Sequence, residues 1–206
     1  MKEHAITKVM VKIFLRNVFY RVRFKNEEIL QEVKRCVICA NHTTVFDPMW
    51  IHNKALKMYI MGKKELFNNK IMARIWKHYN VFPVDREKID VKSTLKAASI
   101  FEENKGDVQL MIFPEGKVIK KESEIGVVKN GAVFTAANAE VPIVPIHITR
   151  RPKLFSKVII EVGKPIKIDK KVLESKEKIR EASKMVLQKI YDMEGLKVYK
   201  DEGKND

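Results

Sequence analysis

The chain has 206 residues, 45% of them hydrophobic, which suits one domain with a sizeable core. Lysine and arginine number 41 against 26 aspartate and glutamate, a formal net charge of +15; that balance calls for an anionic partner such as nucleic acid, an anionic lipid surface or an acidic carrier protein. Glycine and proline are sparse, no stretch is low-complexity enough to argue for long disorder, and no window of ~18 or more apolar residues is present to form an ordinary membrane-spanning helix.

In chain order, Ile6, Val9, Met10, Ile13 and Phe14 repeat at helical spacing between Ala5 and Arg16, with Lys8, Lys12 and Arg16 on another face. Residues 1–17 are expected as a basic amphipathic helix, either an anchor lying on a membrane surface or a helix capping the core. Its lysines break the apolar run that a signal peptide needs. Residues 18–193 are expected as the domain proper, and 194–206 as a frayed polar tail.

Tyr20 to Phe24 alternates apolar and basic residues like a half-exposed strand, and a short helix from Glu27 would take Asn26 as its cap. Cys36 to Ala40 reads as a buried strand. Pro48 to Leu56 reads as a helix that Asp47 can cap. Met58 to Met61 and Val81 to Val84 are strand-like, with helical spacing between them over Ile71 to His78. Asp90 opens a helix through Asn104, and Gly106 follows its end. Val108 to Phe113 is a buried strand followed by a loop rich in lysine and glutamate. A small-residue helix covers Asn130 to Asn138. The strands Ile143 to Ile148 and Lys157 to Val162 come next, then a helix from Ser175 to Tyr191.

Strands alternating with helices predict an α/β layered domain. The short link between the last two strands predicts an antiparallel pair, so the sheet should be mixed and largely parallel, flanked by helices. Cys36 and Cys39 form a CxxC pair, but residues three apart on a strand face opposite sides. No second Cys/His pair follows at zinc spacing. Two core thiols in a reducing compartment are expected, and no metal site.

The segment Asn41 to Asp47 lies between a predicted buried strand and a predicted helix, where α/β folds place ligands. His42 can take a proton on one imidazole nitrogen while Asp47 holds the other. By themselves these two residues read more simply as a loop histidine and a helix cap. Arg86 ends another strand with the side chain best suited to phosphate. Glu115 and Gly116 end a third, the glycine permitting a sharp turn. Arg86 and Glu115 also suit a surface ion pair and a turn cap.

Together these segments resemble the four ordered blocks of the glycerolipid acyltransferases, the lysophosphatidate acyltransferase group. Asn41, His42 and Asp47 match NHxxxxD; Phe82 and Arg86 match the second block, with Asn80 where glycine is usual. Phe113 to Gly116 match FPEG, and Val141 to Pro145 match the fourth block. The resemblance spans about residues 18 to 165. It implies His42 as general base and Asp47 as its orienter. Arg86 and Glu115 are implied to bind the acceptor, with Asn41, Gly116 and Lys117 as further acceptor-side candidates. The acyl donor would be acyl-CoA or acyl-carrier protein, with no cofactor. The acceptor would be lysophosphatidate, glycerol 3-phosphate or another lysophospholipid, because the family's Thr-Arg-Ser after FPEG is here Lys117-Val118-Ile119. Lys117 offers a point charge without the guanidinium fork, or else belongs to a solvated charged loop.

With no GxSxG elbow and no base beside either cysteine, direct transfer without an acyl-enzyme is expected. The expected location is peripheral, on the cytoplasmic face of an anionic membrane surface. A nucleic-acid partner is not expected, since no zinc-finger, RNP, KH or basic-zipper pattern occurs. A lipid-binding relative without catalysis would not need the oriented base that His42 and Asp47 supply.

Overall fold

The structure, a computed structural model, describes residues 20–44, 47–84, 91–150, 152 and 155–199. The expected helix over residues 1–17, Arg86 and the Asp90 cap lie outside them.

Seven strands form one sheet: β1 (Arg21–Lys25), β2 (Arg35–Ala40), β3 (Met58–Lys63), β4 (Val81–Val84), β5 (Val108–Ile112), β6 (Ile143–Ile148) and β7 (Lys157–Val162), in the order β1-β7-β6-β2-β5-β3-β4. The helices are α1 (Ile29–Glu32), α2 (Asp47–His52), α3 (Lys70–His78), α4 (Val91–Glu103), α5 (Gly131–Asn138) and α6 (Lys176–Asp192). All neighbouring strands run parallel except β6 and β7, where Ile146 faces Val162 and Ile148 faces Ile160 in antiparallel register. The expected mixed, largely parallel sheet is therefore present, with β6 and β7 as its antiparallel pair.

Burial follows position in the sheet. Strands β5 and β6 are buried at every residue and β2 at every residue after Arg35, as a parallel sheet covered on both faces requires. Strand β1 lies at the edge, and its exposed Arg21, Arg23 and Lys25 are the charges that keep an open edge from pairing with another chain. At the opposite edge, β4 carries Pro83, tolerated because an edge strand has one unpaired side.

Alternation sorts the core into two layers. Cys36, Ile38 and Ala40 pack with Leu30, Trp50 and Ile51 on one face. Val37 and Cys39 pack with Ala97, Ala136 and Leu187 on the other. The two thiols thus occupy opposite faces, both free and fully buried. Arg35 donates to the carbonyls of Phe101, Asn104 and Gly106 at 2.5–2.7 Å, closing the carboxyl end of α4 with a cation.

Three local expectations are corrected. Asn26 is not a helix cap: it adopts φ 56 and donates its side-chain amide to Val162 O, and α1 begins only at Ile29. Helix α2 stops at His52, short of Leu56. Beyond Met193 the chain does not fray at once. Gln188 accepts the Val198 and Tyr199 amides, and Tyr199 donates to Gly126 O at 2.8 Å.

Candidate active site

The carboxyl ends of the parallel strands β2, β5 and β6 meet along one edge of the sheet, where α/β folds bind ligands. The turn after β2 presents His42, the turn after β5 presents Glu115, and the end of β6 leads to Arg150.

His42 Nδ1 lies 2.9 Å from Asp47 Oδ2. Asp47 is fully buried and opens α2, yet it caps the preceding loop instead of its helix. The Thr43 and Thr44 amides donate to Oδ2, at 2.6 and 2.9 Å, and both threonine hydroxyls donate to Oδ1. This contact holds the imidazole through Nδ1 and leaves Nε2 as the ring nitrogen not engaged by Asp47. The Phe113 ring stacks on the imidazole at 3.8 Å with 15° between planes, fixing its orientation.

Glu115 sits under this arrangement. It is 1% exposed; one oxygen accepts the His42 amide at 2.8 Å, and the other accepts the Tyr191 hydroxyl from α6 at 2.5 Å. Burial pushes its pKa up, against the opposing pull of those two donors. With both oxygens occupied, Glu115 supports the His42 backbone and lines neither of the cavities that His42 borders.

Asn41 lines the pocket that His42 shares with Arg150, and it also holds the strand ends together. Its amide pairs both ways with Ile148, donating to the carbonyl at 2.8 Å and accepting the amide at 2.7 Å, which extends the β2–β6 ladder by one side chain. Gly116 adopts φ 72 above Lys129, a left-handed turn that glycine enters without strain. Lys117 gives its ammonium to Glu124 at 2.6 Å, and Glu124 also accepts the Lys120 and Lys121 amides. The lysine holds the Glu124 carboxyl down at about 2. The loop is closed on itself and fastened to the site by the Ile119 amide, which donates to His42 O at 2.8 Å. Asn80, standing where glycine was expected, takes φ 53, a left-handed conformation that asparagine tolerates.

His42 therefore stands between two cavities. One is an apolar cleft lined by Met49, Met61, Gly62, Leu66, Trp76 and Phe113. A Cβ at Gly62 would meet Val81 Cγ1 at 2.5 Å, so glycine is what lets β3 and β4 approach there. The other is a small polar pocket lined by Thr43, Lys121, Arg150 and Tyr191. Sequence reasoning missed Arg150 and Tyr191. Arg150 carried a usable signal, since it follows a strand end just as Arg86 does in the sequence; Tyr191 read only as the end of the last helix. Among the described residues, no group of three His, Cys, Asp or Glu side chains is placed to hold a metal ion.

A family model described as Acyltransferase matches residues 21–149. A 1-acyl-sn-glycerol-3-phosphate acyltransferase of Bacillus subtilis is 30% identical over 181 residues, covering 84% of this chain and 88% of the relative. The enzyme of that name from Streptococcus pneumoniae is 29% identical over 125 residues, 60% of this chain and 45% of its own. The human enzyme named 1-acyl-sn-glycerol-3-phosphate acyltransferase beta is 28% identical over 131 residues, 62% of this chain and 47% of its own. The chain thus spans less than half the length of the pneumococcal and human relatives. In fold it resembles the crystal structure of the 1-acyl-sn-glycerophosphate (LPA) acyltransferase PlsC of Thermotoga maritima, with TM-score 0.66 at 18% identity over 96% of this chain and 81% of that one.

Proposed function

The chain belongs to the acyltransferase family, and from that premise we propose that it moves a fatty acyl group from a thioester of CoA or acyl-carrier protein to the free hydroxyl of lysophosphatidate. The observation that carries this reading is the position of His42, oriented by Asp47 and bordering both an apolar cleft and a polar pocket. The apolar lining of the cleft suits an acyl chain, and Lys121 and Arg150 beside the small pocket offer cations to a phosphate-bearing headgroup.

In this mechanism Nε2 of His42 takes the acceptor hydroxyl proton as its oxygen attacks the thioester carbonyl. The buried Asp47 carboxylate stabilises the imidazolium that forms. Collapse of the tetrahedral intermediate breaks the C–S bond, and the imidazolium returns its proton to the departing thiolate. Transfer is direct. Cys36 and Cys39 are fully buried, and burial pushes both thiols up, Cys36 to about 12, so neither suits an acyl-carrying nucleophile.

The net charge of +15 and the amphipathic run within residues 1–17 support work on an anionic membrane surface. Among the described residues no helix is long and apolar enough to cross a membrane. Removing residues 1–16 should release the protein from anionic liposomes, and undiminished binding would reject that anchor.

The test is to offer the purified protein palmitoyl-CoA and palmitoyl-acyl-carrier protein with lysophosphatidate, glycerol 3-phosphate and lysophosphatidylcholine in parallel. Phosphatidate formed in preference to the other products is the expected result. Preferential acylation of glycerol 3-phosphate or of lysophosphatidylcholine would overturn the assignment.

A further inference from the structure

The polar pocket beside His42 holds a guanidinium that no resemblance pointed to. Arg150 lies two residues past the end of β6 and lines that pocket with Thr43, Lys121 and Tyr191. Its Nε donates to Glu194 at 2.6 Å, and the same Glu194 oxygen lies 3.2 Å from His147 Nε2. This contact orients the side chain from behind while leaving it 23% exposed. Among the described residues, its Nη1 lies 3.8 Å from Glu122 Oε1, too long for a hydrogen bond, and the Glu122 side chain is 70% exposed. A stronger anion can therefore compete with Glu122 for the Nη nitrogens of the fork.

We propose, resting on the lysophosphatidate reading above, that Arg150 receives the phosphate monoester of the acceptor and sets the distance between that phosphate and His42. Three observations converge on it. The pocket is shared with His42, so a headgroup bound there has its glycerol portion next to the base. A guanidinium recognises phosphate oxygens in pairs, which an ammonium cannot. Lys117, the cation nearest the FPEG turn in sequence, is committed to Glu124, and Val118 and Ile119 after it carry no charge. The guanidinium missing from that loop is supplied from the segment just past β6. Lys121, exposed on the same pocket, adds positive potential.

Phosphate groups also occur on an acyl-CoA donor, so the experiment separates the two sources. Arg150→Gln and Arg150→Lys are compared with wild type for KM toward lysophosphatidate, KM toward palmitoyl-CoA, and preference for lysophosphatidate over uncharged monoacylglycerol. For Arg150→Gln, lysophosphatidate KM should rise at least tenfold, palmitoyl-CoA KM should stay within twofold, and the preference should fall at least tenfold. Arg150→Lys should fall between. A rise confined to the donor KM, or equal losses on charged and uncharged acceptors, would overturn the proposal.

If Arg150→Gln does not fold, Arg150→Lys decides alone: a threefold or greater rise in lysophosphatidate KM supports the proposal, and an unchanged value rejects it. If wild type does not acylate lysophosphatidate, the functional reading fails separately. Calorimetric binding of sn-glycerol 3-phosphate then tests Arg150. Binding by wild type that is weakened in Arg150→Lys supports the site; no binding, or equal binding, rejects it.

Discussion

Tyr191, in the last turn of α6, donates its hydroxyl to the same Glu115 carboxylate that accepts the His42 amide, so the final helix of the domain props the turn carrying the candidate base. Removing that hydroxyl in Tyr191→Phe leaves a buried carboxylate oxygen without its donor, which costs about 1–3 kcal/mol. The pH dependence has a definite sign. Burial raises the Glu115 pKa above its ordinary value of 4.5 in the folded protein, and Tyr191 opposes that rise. The folded state therefore binds the proton more tightly than the unfolded one, and Glu115 subtracts stability as pH climbs above 4.5. Tyr191→Phe should lose more stability relative to wild type at pH 7 than at pH 4, as read from urea midpoints at each pH.

His147 titrates with the opposite sign. Burial lowers its pKa below 6.5, opposed by Glu194 at 3.2 Å and by Glu161 opposite it on β7, and reinforced by Arg150. Because the unfolded state takes up the proton first, stability should fall as pH drops below 6.5. In Glu194→Gln the main opposing charge is gone, so that loss should deepen. Thermal unfolding of wild type and Glu194→Gln between pH 7.5 and 5 measures both.

Arg35 closes the end of α4 through three backbone carbonyls. Arg35→Ala strands those acceptors and should destabilise the fold by about 1–3 kcal/mol. Arg35→Lys, with a single ammonium in place of the fork, should recover only part of it. Urea denaturation of both variants gives the comparison.

Leu66, 38% exposed, stands on the wall of the apolar cleft, where a larger side chain can be placed without disturbing the core. Leu66→Trp should narrow the cleft and shift donor preference toward shorter acyl chains. Rates with a series of acyl-CoA lengths test this, and an unchanged length profile would move the acyl chain elsewhere.

What could be read from the residues depends on how locally the structure is determined. Strands β2, β5 and β6 were legible because burial on both faces leaves mostly apolar runs, interrupted only by Gln109 in β5 and His147 in β6 once past Arg35, and β1 because an edge strand alternates. The contact between His42 and Asp47 was legible because the two lie only five residues apart in sequence. Asn80 looked like a departure, yet its φ of 53 shows that asparagine meets the same backbone demand as glycine. The lysine-rich loop after Gly116 looked solvated because nothing local reveals that Glu124 gathers one ammonium and two amides. The support that Glu115 gives the His42 turn was hidden because its partner Tyr191 is 76 residues away and sits in an apolar pattern. Arg150 meets Glu194 across 44 residues. Long-range polar pairs leave no periodic trace, and they are what separates supporting side chains from open ones at this site.

The most direct test is the rate of acyl transfer to lysophosphatidate by His42→Ala, measured beside wild type with the fold of both verified by circular dichroism. General-base catalysis typically contributes ~10²–10⁴ in rate, so kcat should fall by about that factor while the variant stays folded. A folded His42→Ala protein retaining kcat within a few-fold of wild type would contradict the role assigned to this histidine.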